Sequence, residues 1–371
     1  MTYLLLKLEG VGEMEKSIMW DHIYEQQGRL KELIASAQVA DFVEAYDPRD
    51  LKRILFVASG SSLNITLVAK RFFEELAHVE VTSFTPFDFT GNNPILERLD
   101  RESTLVVAIS QTGTSSGTID AIHHAKQLGF KVLTLTERRD TPVEQQGDYY
   151  LNFLCGLEPC NAKTKGVSSS LTLLMLLALE IGKGKAVLAE DDYQAYRDEI
   201  VASVEDIPVT IETTKKWIES HQDWSTIPHF YVVGNGTNYG VAVEAMLKIM
   251  ETLCIPASVC ELGEFSHGFH RTIGSNSNVM TIQTEEAGQD VMAKTNDYLA
   301  EHVGKLLVVD ATREQRKEDY VIQVPYRPLT ASCLNINVVF QVIATALPEI
   351  NGDDPNRPMN EELTRVVQTR V

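Results

Sequence analysis

The chain has 371 residues and a mass of 41.4 kDa, 44% of its residues hydrophobic and 23% charged, which is material for roughly two globular domains with cores of their own. Its formal net charge of −19 argues against general binding to nucleic acid or to an anionic membrane, because both demand clustered positive charge. An anionic ligand would have to be held by local geometry.

At the N-terminus, "MTYLLLKL" (Met1 to Leu8) has a short apolar run with no basic segment before it, so it makes a poor signal peptide. No stretch approaches the roughly 18 apolar residues of a membrane span, and a soluble cytoplasmic protein is expected. The five cysteines, Cys155, Cys160, Cys254, Cys260 and Cys333, include no Cys-x-x-Cys. They read as buried free thiols in a reducing compartment and give no zinc site.

A helical pattern over Ile18 to Ala37 precedes the first apolar strand, "RILFVAS". Further apolar runs, "TLVVAIS" and "KVLTLTE", are separated by the helical "SSGTIDAIHHAKQLG", with Gly129 as its stop. Strands alternating with helices in this way imply crossover connections and a parallel sheet covered on both faces. The series ends with "SSSLTLLMLLALEIG", apolar almost all round and therefore a buried helix. Ala186 to Pro208, acidic and rich in helix formers, reads as a connection.

From about Ile207 the pattern restarts. "HFYVVGNGTNYGVAVEAMLKIMETLCIPASVCELGEF" lays on "RILFVASGSSLNITLVAKRFFEELAHVEVTSFTPFDF" with Gly236 on Gly60 and Glu251 on Glu75, and "NVMTIQT" and "KLLVVDA" follow in the matching order. The expected fold is α/β: two tandem domains, each a mostly parallel sheet flanked by helices in a flavodoxin-like three-layer arrangement. The expected organisation is a helical segment over 1–40, a first domain over 41–205, a second over 206–350 and a tail over 351–371.

Twice in the first copy a strand runs through small hydroxyl residues into a helix, at "SGSSLN" and at "SQTGTSS". A helix N-terminus offers unpaired N–H groups and the positive end of its dipole, hydroxyls add neutral donors, and Gly60 and Gly113 permit close approach of the backbone. Two such turns would border one crevice at the carboxyl ends of parallel strands, a seat for phosphate. The bland alternative is that Ser61, Ser110 and Thr114 are helix caps. The second copy differs: Thr237 and Asn238 stand opposite Ser61 and Ser62, but "QTEEAGQ" puts Glu285 and Glu286 in place of Thr112 and Gly113, and an anion could not sit there. Neither the P-loop pattern nor a dinucleotide fingerprint is present.

With "GSSLN", "SQTGTS" and "ELGEFSHG" on duplicated α/β units, the chain resembles the sugar isomerase (SIS) domain family. The likeness extends to the isomerase half of glucosamine-6-phosphate synthase and to stand-alone sugar-phosphate isomerases and fructosamine-6-phosphate deglycases, and it covers nearly the whole chain. It implies a phosphate loop at Ser110, Gln111, Thr112 and Ser115, with Ser62 in the first turn toward the sugar, while Ser61 beside it is a candidate from the turn itself. It implies a catalytic helix bearing Glu244, Lys248 and Glu251, and a ring-opening histidine at His267.

Moving a proton between C1 and C2 through an enediol or enolamine calls for a carboxylate, and opening a sugar ring suits a histidine. The resemblance makes Glu251 the base, and it places His267 in the site of a neighbouring subunit, so a homodimer with shared sites is expected. No metal and no cofactor are implied. From spacing alone, Glu244, Lys248 and Glu251 share one helical face and read equally as a solvated face with ordinary ion pairs.

Three features depart from the synthase pattern. "MTYLLL" lacks the Cys after the initiator Met and no glutaminase domain follows, so synthase activity is not expected. Asn161 and Lys163 in "EPCNAKTKG" replace smaller uncharged residues and would reshape the sugar pocket. The tail has no lysine at the substrate-contacting place, Arg365 being its nearest cation. The expected function is a sugar-phosphate isomerase or an amino-sugar or fructosamine 6-phosphate deaminase. The alternatives are a sensor that only binds sugar phosphates and a purely structural partner subunit.

Overall fold

The computed structural model describes residues 14–91, 93–328 and 331–371. The signal-peptide reading of Met1 to Leu8 therefore lies outside the described residues. Helices α1 (Ile18–Ala35) and α2 (Gln38–Tyr46) precede β1 (Arg53–Val57), α3 (Ser61–Leu76), β2 (Glu80–Phe84), α4 (Pro86–Thr90), β3 (Thr104–Ile109), α5 (Ser116–Gln127), β4 (Lys131–Thr136), β5 (Tyr149–Asn152) and α6 (Lys165–Gly184). After α7 (Glu190–Glu205) and α8 (Ile207–Ser220) come β6 (Phe230–Gly234), α9 (Thr237–Thr252), β7 (Ala257–Glu261), α10 (Leu262–Phe265), β8 (Asn278–Gln283), α11 (Gln289–His302), β9 (Lys305–Asp310), β10 (Val321–Gln323), α12 (Ser332–Ile350) and α13 (Glu361–Val367).

These elements form two compact units. The first comprises Gln26–Glu158, Lys165–Val204 and Asn360–Val371; the second comprises the described residues up to Glu25 together with Pro159–Thr164 and Glu205–Met359. The first unit is built on a five-stranded sheet in the order β2-β1-β3-β4-β5. All its pairings are parallel, with Val57 beside both Phe84 and Ala108. Central β3 is buried along its whole length, which is why "TLVVAI" reads as an unbroken apolar run rather than an alternating one. Leu55, Val57, Val106, Ala108 and Val132 pack with Ile122, Ala125 and Phe130 to form one face of its core. Helix α5 stops where the sequence places the stop: Gly129 has φ +87° and donates its N–H to the Lys126 carbonyl at 3.0 Å.

The second unit repeats the plan. Its sheet runs β7-β6-β8-β9-β10, again parallel throughout, and in both units the order is 2-1-3-4-5 counted from each unit's own first strand. The turns into α3 and α9 repeat in detail: Gly60 lies at φ +57°, ψ −138° and Gly236 at φ +53°, ψ −130°, and each starts a helix of 16 residues. An L side chain is strained at this φ, so both copies use glycine.

The sequence expectation on membrane spans needs one correction. Helices α6 and α12 are long and apolar enough to cross a membrane by composition, but 94% of each apolar window is buried inside the protein. They are core helices, apolar on all sides because they are covered on all sides.

Candidate active site

In the first unit, parallel pairing of β1 with β3 brings the two hydroxyl-rich turns side by side at the carboxyl ends of adjacent strands, the switch point of this strand order. Ser61 and Ser62 open α3 and are half-buried. In the turn after β3, Ser110 is buried and Gly113 has φ +70°. A Cβ on Gly113 would stand 2.2 Å from Thr141 Oγ1, so both conformation and space demand glycine. The Thr112 and Thr114 hydroxyls are 3.0 Å apart and hydrogen-bonded.

The cap reading of Ser61, Ser110 and Thr114 does not hold. Gly60 is the N-cap of α3, and α5 is capped by Ser115, whose Oγ accepts from the Thr118 N–H at 3.4 Å and the Thr118 hydroxyl at 3.0 Å. Ser110 and Thr112 are therefore not engaged as the caps of these helices.

Gln111 is held by a residue the sequence reading passed over. Its Nε2 donates to Glu158 Oε2 at 3.0 Å, and the same carboxylate accepts from the first two N–H groups of α6, Lys165 at 3.1 Å and Gly166 at 3.0 Å. Glu158 is thus both the acidic cap of α6 and the anchor of the Gln111 amide. A Cβ on Gly166 would fall 2.2 Å from that amide. "EPCNAKTKG" drew notice for Asn161 and Lys163, while its first residue, ahead of a long apolar helix, was the available signal.

The C-terminal residues return to the same turn. Ser115 pairs with Arg370 in an antiparallel bridge, the Val371 N–H donates to the Thr114 carbonyl at 2.9 Å, and the Ser116 N–H donates to the Thr369 carbonyl at 3.2 Å. The first N–H of α5 is taken by the tail backbone.

In the second unit, α9 carries Glu244, Lys248 and Glu251. Lys248 is 1% exposed and Glu244 2%, so the solvated-face reading fails. The ammonium lies 2.5 Å from Glu251 Oε2 and 3.4 Å from Glu244 Oε1. Burial alone would pull the Lys248 pKa down, but the two carboxylates outweigh it and hold the ammonium above its ordinary value. Of the three side chains only that of Glu251 is substantially exposed, at 32%. The arrangement is a carboxylate fixed by a buried cation with one side open to solvent. The far end of the helix is held by Arg357, which donates to the Thr252 and Leu253 carbonyls at 3.1 and 3.0 Å, a cation at a helix C-terminus.

His267 lies on the exposed loop after α10, its N–H bonded to the Glu264 carbonyl at 2.9 Å. Asn161 is exposed and donates its backbone N–H to Asn356 Oδ1 at 3.0 Å, and the Lys163 ammonium donates to the Cys160 carbonyl at 2.8 Å. A cavity of 440 Å³ in this unit is lined by Ser17, Pro159, Glu349 and Asn356 among others. Its most buried carboxylate, Glu349, already accepts from the N–H groups of Glu15, Lys16 and Ser17 and from Trp20 Nε1.

The turn after β8, where the sequence excluded an anion, holds a carboxylate of its own. Glu286 Oε2 accepts the Thr237 N–H at 3.2 Å and Oε1 accepts from Asn238 Nδ2 at 3.3 Å, while Glu285 pairs with Arg313 at 3.0 Å. Among the described residues no group of three or more His, Cys, Asp or Glu side chains is placed to hold a metal ion.

Comparison with known proteins gives these features relatives. Residues 49–180 match the SIS domain. The isomerising glutamine–fructose-6-phosphate aminotransferase of Thermococcus kodakarensis is 28% identical over 353 residues, which cover 92% of this chain and 56% of that protein. The chain spans about half the length of the curated relatives it matches. Among solved structures, a candidate phosphosugar isomerase from Clostridium difficile 630 superposes with a TM-score of 0.87 at 24% identity, covering 96% of this chain and 99% of that one. The C-terminal domain of glucosamine-fructose-6-phosphate aminotransferase from Francisella tularensis gives 0.83 at 20% identity, with 93% and 99% covered. The SIS match lies on the first of two parallel sheets that share one strand order, so the chain carries a region similar to the SIS domain within a fold shared with these structures.

Proposed function

We propose that the chain is a phosphosugar-processing enzyme, an aldose-ketose isomerase or an amino-sugar or fructosamine 6-phosphate deaminase working through an enediol or enolamine. The observation that carries this reading is the Glu244-Lys248-Glu251 group: a buried ammonium that two carboxylates keep charged, with only Glu251 open to solvent. A protein that merely senses a sugar phosphate has no use for a carboxylate set up in this way. The phosphate would rest on Ser110, Gln111, Thr112 and Ser115, where neutral donors and the α5 dipole offset the charge of an otherwise acidic protein. Glu251 would take the proton from the carbon beside the carbonyl and return it to the neighbouring carbon, and His267 would exchange a proton with the ring oxygen during opening. Glu244 and Lys248 are positioning residues for Glu251.

The test is incubation with a panel of hexose, hexosamine and glycated-amino-acid 6-phosphates, read as released amine or as an aldose product. Binding without turnover across the panel would overturn the enzyme reading in favour of a sensor. Crystals soaked in a sugar 6-phosphate are expected to show the phosphate against Ser110, Gln111, Thr112 and Ser115; density at the Glu285-Glu286 turn instead would move the binding site out of the first repeat.

The exposure of His267 fits a role in a neighbouring subunit's site. The protein is then a dimer in solution, and a mixture of inactive Glu251→Gln and inactive His267→Ala chains regains part of the activity after subunit exchange, since mixed dimers hold one intact site. A fully active monomer by sedimentation, or a mixture that stays inactive, would rule out shared sites.

A further inference from the structure

In the first unit the space between the two strand-to-helix turns lies at the switch point of the sheet, where an external ligand is expected. In the second unit the corresponding turns, after β6 and after β8, are also neighbours, because β6 pairs with β8. Between them the Glu286 carboxylate bonds to the first N–H of α9 and to the Asn238 amide. The turn that supplies it is itself tied down: Asn235 Nδ2 donates to the Ala287 carbonyl at 2.6 Å, and Asn238 Nδ2 also donates to Thr284 Oγ1 at 3.2 Å.

Two further observations mark this spot as an oxyanion seat larger than the bonds Glu286 makes. The Thr237 hydroxyl, a neutral donor on a side chain 2% exposed, has no hydrogen-bond partner among the described residues. Cys333, in the first turn of α12, lies near enough for the Glu286 charge to add to burial in raising its thiol pKa, so the starts of two helices come close to one carboxylate. A negative charge at a helix N-terminus is favourable, and at two it is more so.

We propose that Glu286 is the built-in anion of the second repeat: its carboxylate occupies a seat that would otherwise take a phosphate- or sulfate-type oxyanion, and it fixes the N-terminal end of the helix that carries Glu244, Lys248 and Glu251. The first repeat keeps its seat open for an external anion, and the second fills the equivalent seat from its own chain. Duplication would then leave one ligand site and one internal strut. The proposal does not depend on which substrate, or whether any, is turned over.

The experiment is titration of the full chain with inorganic phosphate by calorimetry, together with its melting temperature in phosphate and in chloride at matched ionic strength. Glu286→Ala is expected to bind one more equivalent of phosphate per chain than the parent, to melt lower in chloride, and to recover in phosphate as mass action requires. Glu286→Asp keeps the charge and should gain no site. Should Glu286→Ala not fold, Glu286→Gln, similar in shape but uncharged, provides the comparison: its melting temperature must rise more steeply with phosphate than the parent's. An unchanged phosphate count in Glu286→Ala, or a Glu286→Gln that responds to phosphate no more than the parent, overturns the proposal even if both variants are less stable.

Discussion

Glu251→Gln is expected to lower kcat by on the order of 10²-fold or more, because the amide keeps the size and hydrogen bonding of the side chain but has no basic lone pair to take a proton from carbon. Substrate binding should survive, since Glu251 stands in the second unit while the turns proposed to hold the phosphate stand in the first. The measurement is kcat with the sugar phosphate that the panel identifies, together with exchange of the C1 or C2 hydrogen with deuterated solvent. Turnover and exchange near the parent rate would make Glu251 a structural residue of α9 and sink the mechanism.

Lys248→Met is expected to cost about 3–5 kcal/mol of folding stability, the range for removing one partner from a buried ionic group. The ammonium is almost fully enclosed and lies between two carboxylates, one of them equally buried, so its loss leaves like charges facing each other without a counterion. Urea denaturation measures the loss, and adding Glu244→Gln should restore part of it by removing one stranded charge. A loss within about 0.5 kcal/mol, as for an exposed helical pair, would show that the group is hydrated in solution.

The contrast between a solvated face and a buried ionic group shows where sequence reasoning stops. The spacing of Glu244, Lys248 and Glu251 places them on one face of a helix whichever way that face turns. What decides is that α12, far along the chain, packs on α9, together with β6 and β7, and covers it. Ser115 rather than Ser110 or Thr114 became the cap of α5 for a related reason: the hydroxyls of Ser110, Thr112, Thr114, Ser115 and Ser116 can each accept an N–H, and the backbone path set by Gly113 against Thr141 selects one.

The sequence by itself determined the alternation of strands and helices, the duplication, the parallel sheets and the two glycine turns. Each of these rests on constraints that act within a few residues: a strand covered on both faces must be continuously apolar, and a strand-to-helix turn at positive φ needs glycine. The tertiary structure alone decided the burial of Lys248, the grip of Glu158 on Gln111, the insertion of Glu286 at the start of α9 and the return of Arg370 to Ser115. Those joins link residues from 47 to 255 positions apart wherever a pair is involved, and which such partners meet depends on how whole elements pack, which no local pattern of residue types records.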